Sequence, residues 1–101
     1  MAIRQGTTPT HTFTLPFTTN NIKVIHIAYA QNTDILFIKE TTDITMNGNE
    51  VSVTLTQEET LKVDPRKQFE IQVRVVTHDG EALSSDIMSV EAERVIEREV
   101  L

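Results

Sequence analysis

The side chains able to do chemistry in this chain of 101 residues are few and scattered. His11, His26 and His78 could hold a metal ion if they converged with a carboxylate such as Asp79. No HxH or HExxH spacing brings any two of them together. Ser84-Ser85-Asp86 sets hydroxyls beside an acid, yet no GxSxG elbow surrounds them. Asp34 with Glu40, and Glu58 with Glu59, offer carboxylate pairs. Acid–base work needs such a pair in one pocket with separated pKa values. Glu58 and Glu59 instead open a helical turn, where acids suit the helix dipole. Gly6, Gly48 and Gly80 lie too far apart to build one phosphate-cradling loop. The chain has no cysteine, so disulfides, thiolate metal sites and cysteine nucleophiles are excluded. The residues therefore point to a non-enzymatic protein with no catalytic residue, metal or cofactor.

The elements that would position these side chains are strands. Phe69-Glu70-Ile71-Gln72-Val73-Arg74-Val75 alternates with period two, and Asp79-Gly80 follows it. Asp-Gly tolerates the positive φ of a tight hairpin turn, and a second run to Val90 completes the pair. Thr10 to Leu15 puts His11, Phe13 and Leu15 on one face and threonines on the other. Pro16 closes that strand, and Pro9 suits its start or an edge. In Ile22–Ala30, Ile25, Ile27 and Tyr29 line one face; Val24, His26, Ala28 and Ala30 line the other. Both faces are apolar enough to predict a central strand covered on both sides. Gln31-Asn32-Thr33-Asp34 reads as a turn. Ile35–Lys39 is a short strand, Asn47-Gly48 a hairpin turn, and Val51–Leu55 another strand. Thr56-Gln57-Glu58-Glu59 matches a capping box and predicts one helical turn near 57–61. The expected fold is all-β: an antiparallel immunoglobulin-like sandwich of about seven strands. Residues 1–90 would form it. Residues 91–101 would follow as an extended arm or strand, although Ala92, Ile96 and Val100 also stack at helical spacing.

Composition narrows the partners. Length favours one domain. An apolar content of 39% is slightly low for a compact one and hints at stabilisation by partner subunits. The net charge is −6, against nucleic-acid binding, which needs clustered Lys and Arg. Residues 1–56 carry four acids and three bases; residues 57–101 carry eleven and six. The second half is thus the acidic one, and a partner docking there would be basic. The five aromatic residues are not interleaved with basic ones; Phe13, Phe37 and Phe69 suit a core. Met1–Gly6 has no apolar signal region, and no apolar run approaches the roughly 20 residues of a membrane span. Synthesis in the cytoplasm without a signal peptide, and no membrane partner, are the expectation.

Ile3-Arg4-Gln5-Gly6-Thr7-Thr8-Pro9-Thr10-His11-Thr12-Phe13-Thr14-Leu15 resembles the start of small uncharacterised proteins from phages and prophages of Gram-positive bacteria. Leu55–Leu61, Ile71–Val75 and Asp79-Gly80 match as well, so the likeness spans most of the chain. More loosely, the Gln-Gly-Thr opening and the late Asp-Gly then Ser-Asp hairpin are similar to the N-terminal β-sandwich domain of phage baseplate upper proteins. The sequence runs to Leu101, and no stalk or receptor-binding region is expected after it. The resemblance implies a phage structural or assembly module of the tail or baseplate, in the virion, and carries over no catalytic residues. Partners would be other phage structural proteins or copies of the chain itself. Expected contacts are the Thr-rich strand (Thr8, Thr10, Thr12, Thr14) and the apolar residues of the arm (Val95, Ile96, Val100, Leu101). A small phage-encoded regulator, binding a host protein through the acidic half, is the alternative.

Overall fold

A computed structural model describes residues 2–101. Its nine strands are β1 (Ala2–Arg4), β2 (Thr10–Thr14), β3 (Ile22–Gln31), β4 (Asp34–Lys39), β5 (Ile44–Asn47), β6 (Glu50–Thr54), β7 (Phe69–Thr77), β8 (Ala82–Ser84) and β9 (Met88–Glu93). One helix, α1 (Gln57–Leu61), connects β6 to β7 and carries the chain from one sheet to the other. The larger sheet has the order β1-β9-β7-β3-β4, with β8 also against β7; the smaller has the order β2-β6-β5. All pairings are antiparallel except β1 with β9. This is the immunoglobulin-like arrangement: β2, β6 and β5 stand where strands B, E and D stand, and β9, β7, β3 and β4 where G, F, C and C′ stand.

The core lies between the sheets. Ile25, Ile27 and Tyr29 of β3 and Ile71, Val73 and Val75 of β7 face Phe13, Val51 and Val53 of the smaller sheet, all buried. Burying an aliphatic side chain of this size contributes about 1.5–3 kcal/mol. Aromatic contacts run through the same layer. The Tyr29 ring stacks on Phe37 at 4.7 Å between centroids and meets Phe69 edge-on at 6.2 Å.

Local chemistry sets the element ends. Thr56 accepts the Glu59 N–H at 3.1 Å, and the Glu59 carboxylate accepts the Thr56 N–H at 2.9 Å, closing the capping box of α1. Gly48 and Gly80 sit in the β5–β6 and β7–β8 turns at φ +63° and +86°. The expected strand from 81 to 90 is broken in two. Ser85 interrupts it: its hydroxyl takes the Val73 N–H at 3.0 Å, the chain bulges, and Ile87 turns outward. Ser84 and Ser85 thus belong to this edge irregularity. β9 then runs on to Glu93, because β1 pairs with its residues 91 to 93. The position expected to divide sandwich from arm, residue 90, falls inside that strand. After Glu93 there is neither helix nor strand. No helix of the described residues is long and apolar enough to cross a membrane.

Candidate functional site

The three histidines lie on separate elements. His11 is buried in β2, and His26 is exposed on β3. His78 lies in the turn after β7, which ends at Thr77, whose carbonyl accepts the Gly80 N–H at 3.0 Å and turns the chain. Among the described residues no group of three or more acids or histidines is gathered as a metal site would need.

His11 is the most unusual titratable group. Its Nδ1 lies 2.8 Å from the Tyr29 hydroxyl, and its Nε2 is buried with no partner among the described residues. Burial pushes the imidazole below its ordinary pKa and, with the nearby Glu59 charge, pushes the Tyr29 phenol up. A neutral imidazole stacked at 5.8 Å on a protonated phenol is a core contact. The other buried polar groups also have structural tasks. Gln31 accepts the Asp64 N–H at 2.8 Å and donates to the Asp64 and Lys67 carbonyls at 2.8 and 3.0 Å, which holds the turn before β7. Gln5 donates to the Val63 carbonyl at 2.7 Å and accepts the Val95 N–H at 3.2 Å. Lys39, nearly buried, pairs with Glu59 at 2.7 Å and ties β4 to α1. In the same turn, Arg66 beside Asp64 holds that carboxyl down at about 2.

The surface is where the molecule departs from expectation. β3 is covered on one face only. Val24, His26, Ala28 and Ala30 form part of an outer face of the larger sheet that is open to solvent. Register places Val76 beside Val24, Arg74 beside His26, and Gln72 beside Ala28 on β7. On β4 it places Ile38 beside Ala28 and Ile35 beside Ala30. Ile35 is 61% exposed and Ile87 58% exposed; Val24, Ile38 and Val76 are exposed as well. Two depressions mark this face. One lies between Val24, His26, Arg74 and Val76, the other between Ala28, Ala30, Ile35 and Ile87. The alanines form the floor, so a partner's side chains could approach the backbone closely there. The sequence signal was present as apolar residues on both faces of β3. That pattern fits a strand buried within its own domain and a strand with one face left for a partner equally well.

The residues expected at an interface fall in two places. Thr10, Thr12 and Thr14 are exposed on the outer face of β2, opposite Thr54, Ser52 and Glu50 of β6. Thr8 precedes β2 and, with Leu55, Gln57 and Val100, lines a groove beside α1. The arm therefore meets Thr8, not the three threonines of β2. It folds back on its own chain: the Leu101 N–H donates to Gln57 Oε1 at 2.7 Å, and Arg98 reaches the Leu61 carbonyl at 3.3 Å. Val95 is half-buried next to Gly6, whereas Ile96 and Leu101 are 92% and 90% exposed.

No protein-family model matches the chain, and no curated protein matches it. Solved structures that resemble it include the immunoglobulin-like domain of mouse leukocyte-associated immunoglobulin-like receptor 1, seen as a strand-swapped dimer. That domain is 11% identical, with a TM-score of 0.48 over 91% of this chain and 85% of that one. The V domain of amphioxus IgVJ-C2 is 10% identical, with a TM-score of 0.38 over 92% and 99%. The fold assignment of this chain rests on its own strand order.

Proposed function

We propose that the chain is a non-enzymatic protein-interaction module that builds into a larger assembly, and that this assembly is a phage tail or baseplate. The observation that carries the interaction reading is the open outer face of the larger sheet. Val24, Ile35, Ile38, Val76 and Ile87 share it with the small residues Ala28 and Ala30. Contiguous apolar surface rimmed by polar residues such as Gln72, Arg74 and Glu70 has the composition of a docking face. A non-enzymatic role is supported by the buried polar side chains, which brace turns, caps and strands. The phage assignment is supported by the resemblance of residues 3–15 and of the later matching stretches.

Mass spectrometry of purified particles, from cells carrying the gene and its phage neighbours, tests this reading. The chain should be present at fixed stoichiometry with tail proteins. Ile35→Asp with Ile38→Asp should remove it from the particles while the variant stays folded, since both side chains already face water. The opposite result is a chain missing from particles and bound to a host protein, with binding undisturbed by the double variant and lost when exposed acids such as Glu91 and Glu97 are neutralised. That result would replace assembly with regulation through the acidic half.

A further inference from the structure

The smaller sheet ends on β2, and the geometry of that edge is self-complementary. Leu55 donates its N–H to the Pro9 carbonyl at 2.9 Å, and Leu15 donates to the Asn49 carbonyl at 2.7 Å. Between these two bonds the register pairs Thr10 with Thr54 through Thr14 with Glu50. In an antiparallel ladder, bonding to a given neighbour alternates along the strand. The odd residues His11 and Phe13 therefore bond β6, and the N–H and C=O groups of Thr10, Thr12 and Thr14 project from the free edge. No charged residue occurs from Gln5 to Ile22. Proteins usually guard such edges with charge, a proline within the strand or a bulge. Here Pro9 and Pro16 stand outside β2, at either end, and none of these guards lies within it. By contrast, β4, which edges the larger sheet, has Asp34 and Lys39 at its ends.

We propose that β2 pairs antiparallel with β2 of a second copy of this chain, about a two-fold axis through Thr12. The alternation Thr10-His11-Thr12-Phe13-Thr14 reads alike in both directions at its threonines. A two-fold register sets Thr12 against Thr12 and Thr10 against Thr14, so each outward N–H meets an outward C=O. On the outer face, threonines meet threonines and extend the hydroxyl contacts already seen at Thr10–Thr54, 2.8 Å, and Thr12–Ser52, 3.0 Å. Cross-strand threonine pairs are favourable. The edge is neutral in a chain of net charge −6, so two like-charged copies meet where repulsion is weakest. A charged partner would gain nothing from an edge without charge, which favours a second copy over a foreign strand. Pro16 follows Thr14 in the outward-facing series and has no N–H to offer, which limits the ladder at that end.

The inference uses the edge of the smaller sheet and not the outer face of the larger one, so the two readings fail separately. The test is the solution mass of the full chain by light scattering over a wide concentration range, with circular dichroism to check folding. The wild type should reach twice the chain mass. Thr12→Lys, which sets two ammonium groups against each other across the axis, should raise the dissociation constant at least tenfold with an unchanged spectrum. Thr12→Pro removes an N–H that β6 does not use and should act likewise. Because the chain has no cysteine, Thr12→Cys gives a clean geometric check: mild oxidation should cross-link it into a dimer within the time that Thr45→Cys, on the same outer face but away from the axis, stays monomeric. A wild type that stays monomeric throughout overturns the proposal, as does a dimer that Thr12→Lys leaves intact or equal cross-linking at positions 12 and 45. None of these bears on particle incorporation through Ile35 and Ile38.

Discussion

At the scale of single residues, two side chains sit where their own chemistry works against the fold. Thr33 occupies the β3–β4 turn at φ +71°, next to Asn32 at +51°. Positive φ is costly for a β-branched residue, and a two-residue turn of this kind prefers Asn-Gly. Thr33→Gly should therefore raise stability by about 1 kcal/mol, the relief of strain exceeding the added freedom of the unfolded chain. In thermal melts that corresponds to a rise of roughly 4–8 °C; an unchanged or lower melting temperature would contradict it. His11 is the second. Its pKa in the fold is lowered by burial, so as pH falls through about 6.5 the unfolded chain takes up a proton that the folded chain does not. The unfolded state then binds more protons, and stability declines until the lowered folded pKa is passed. Above about pH 7 the contribution is fully present. Urea melts between pH 5 and 8 should show this slope, and His11→Phe should flatten it. The spacing of the sequence placed His11 on the inward face of its strand but could not reveal that Tyr29 would be its hydrogen-bond partner, since that contact joins two sheets.

At the scale of elements, the turn before β7 depends on one buried amide. Gln31→Leu would strip the Asp64 N–H and the Lys67 carbonyl of their Gln31 partner, while the Asp64 carbonyl keeps the Lys67 N–H at 3.2 Å. A loss of about 2–4 kcal/mol is expected in denaturant melts, from two unsatisfied groups at about 1–3 kcal/mol each with partial recovery by water. Thr56→Ala should cost less, about 1 kcal/mol, because it removes a single cap. Both the cap and the hairpin turns were legible in the sequence, being local: Thr56 to Glu59, Asn47-Gly48 and Asp79-Gly80 each act within four residues. Features that depend on distant partners were not. β1 is three residues long and exists because β9 offers it a parallel edge. The break at Ser85 exists because its hydroxyl reaches Val73. Gln31 reads only as a turn residue and Gln5 carries no local signal; only the assembled fold makes them braces.

At the scale of the molecule, immunoglobulin-like order follows from alternation, turn chemistry and one crossover helix, all of them visible along the chain. Which sheet faces find cover does not follow, because a strand apolar on both sides gives the same pattern whether its second cover is its own chain or a partner. The domain leaves one face of its larger sheet bare, with Ile35 and Ile38 on β4 and Val24 on β3. It also leaves the β2 edge of its smaller sheet, opposite the β5 edge, without a neighbouring strand. An apolar face of this composition is expected to be covered in an assembly. Hydroxyl-radical footprinting of Ile35, Ile38 and Ile87, in the isolated chain and in particles that contain it, tests this most directly. Several-fold protection of these residues is expected in the particles, with Ile96 as the exposed reference in the isolated chain. Equal labelling of Ile35, Ile38 and Ile87 in both states would contradict it.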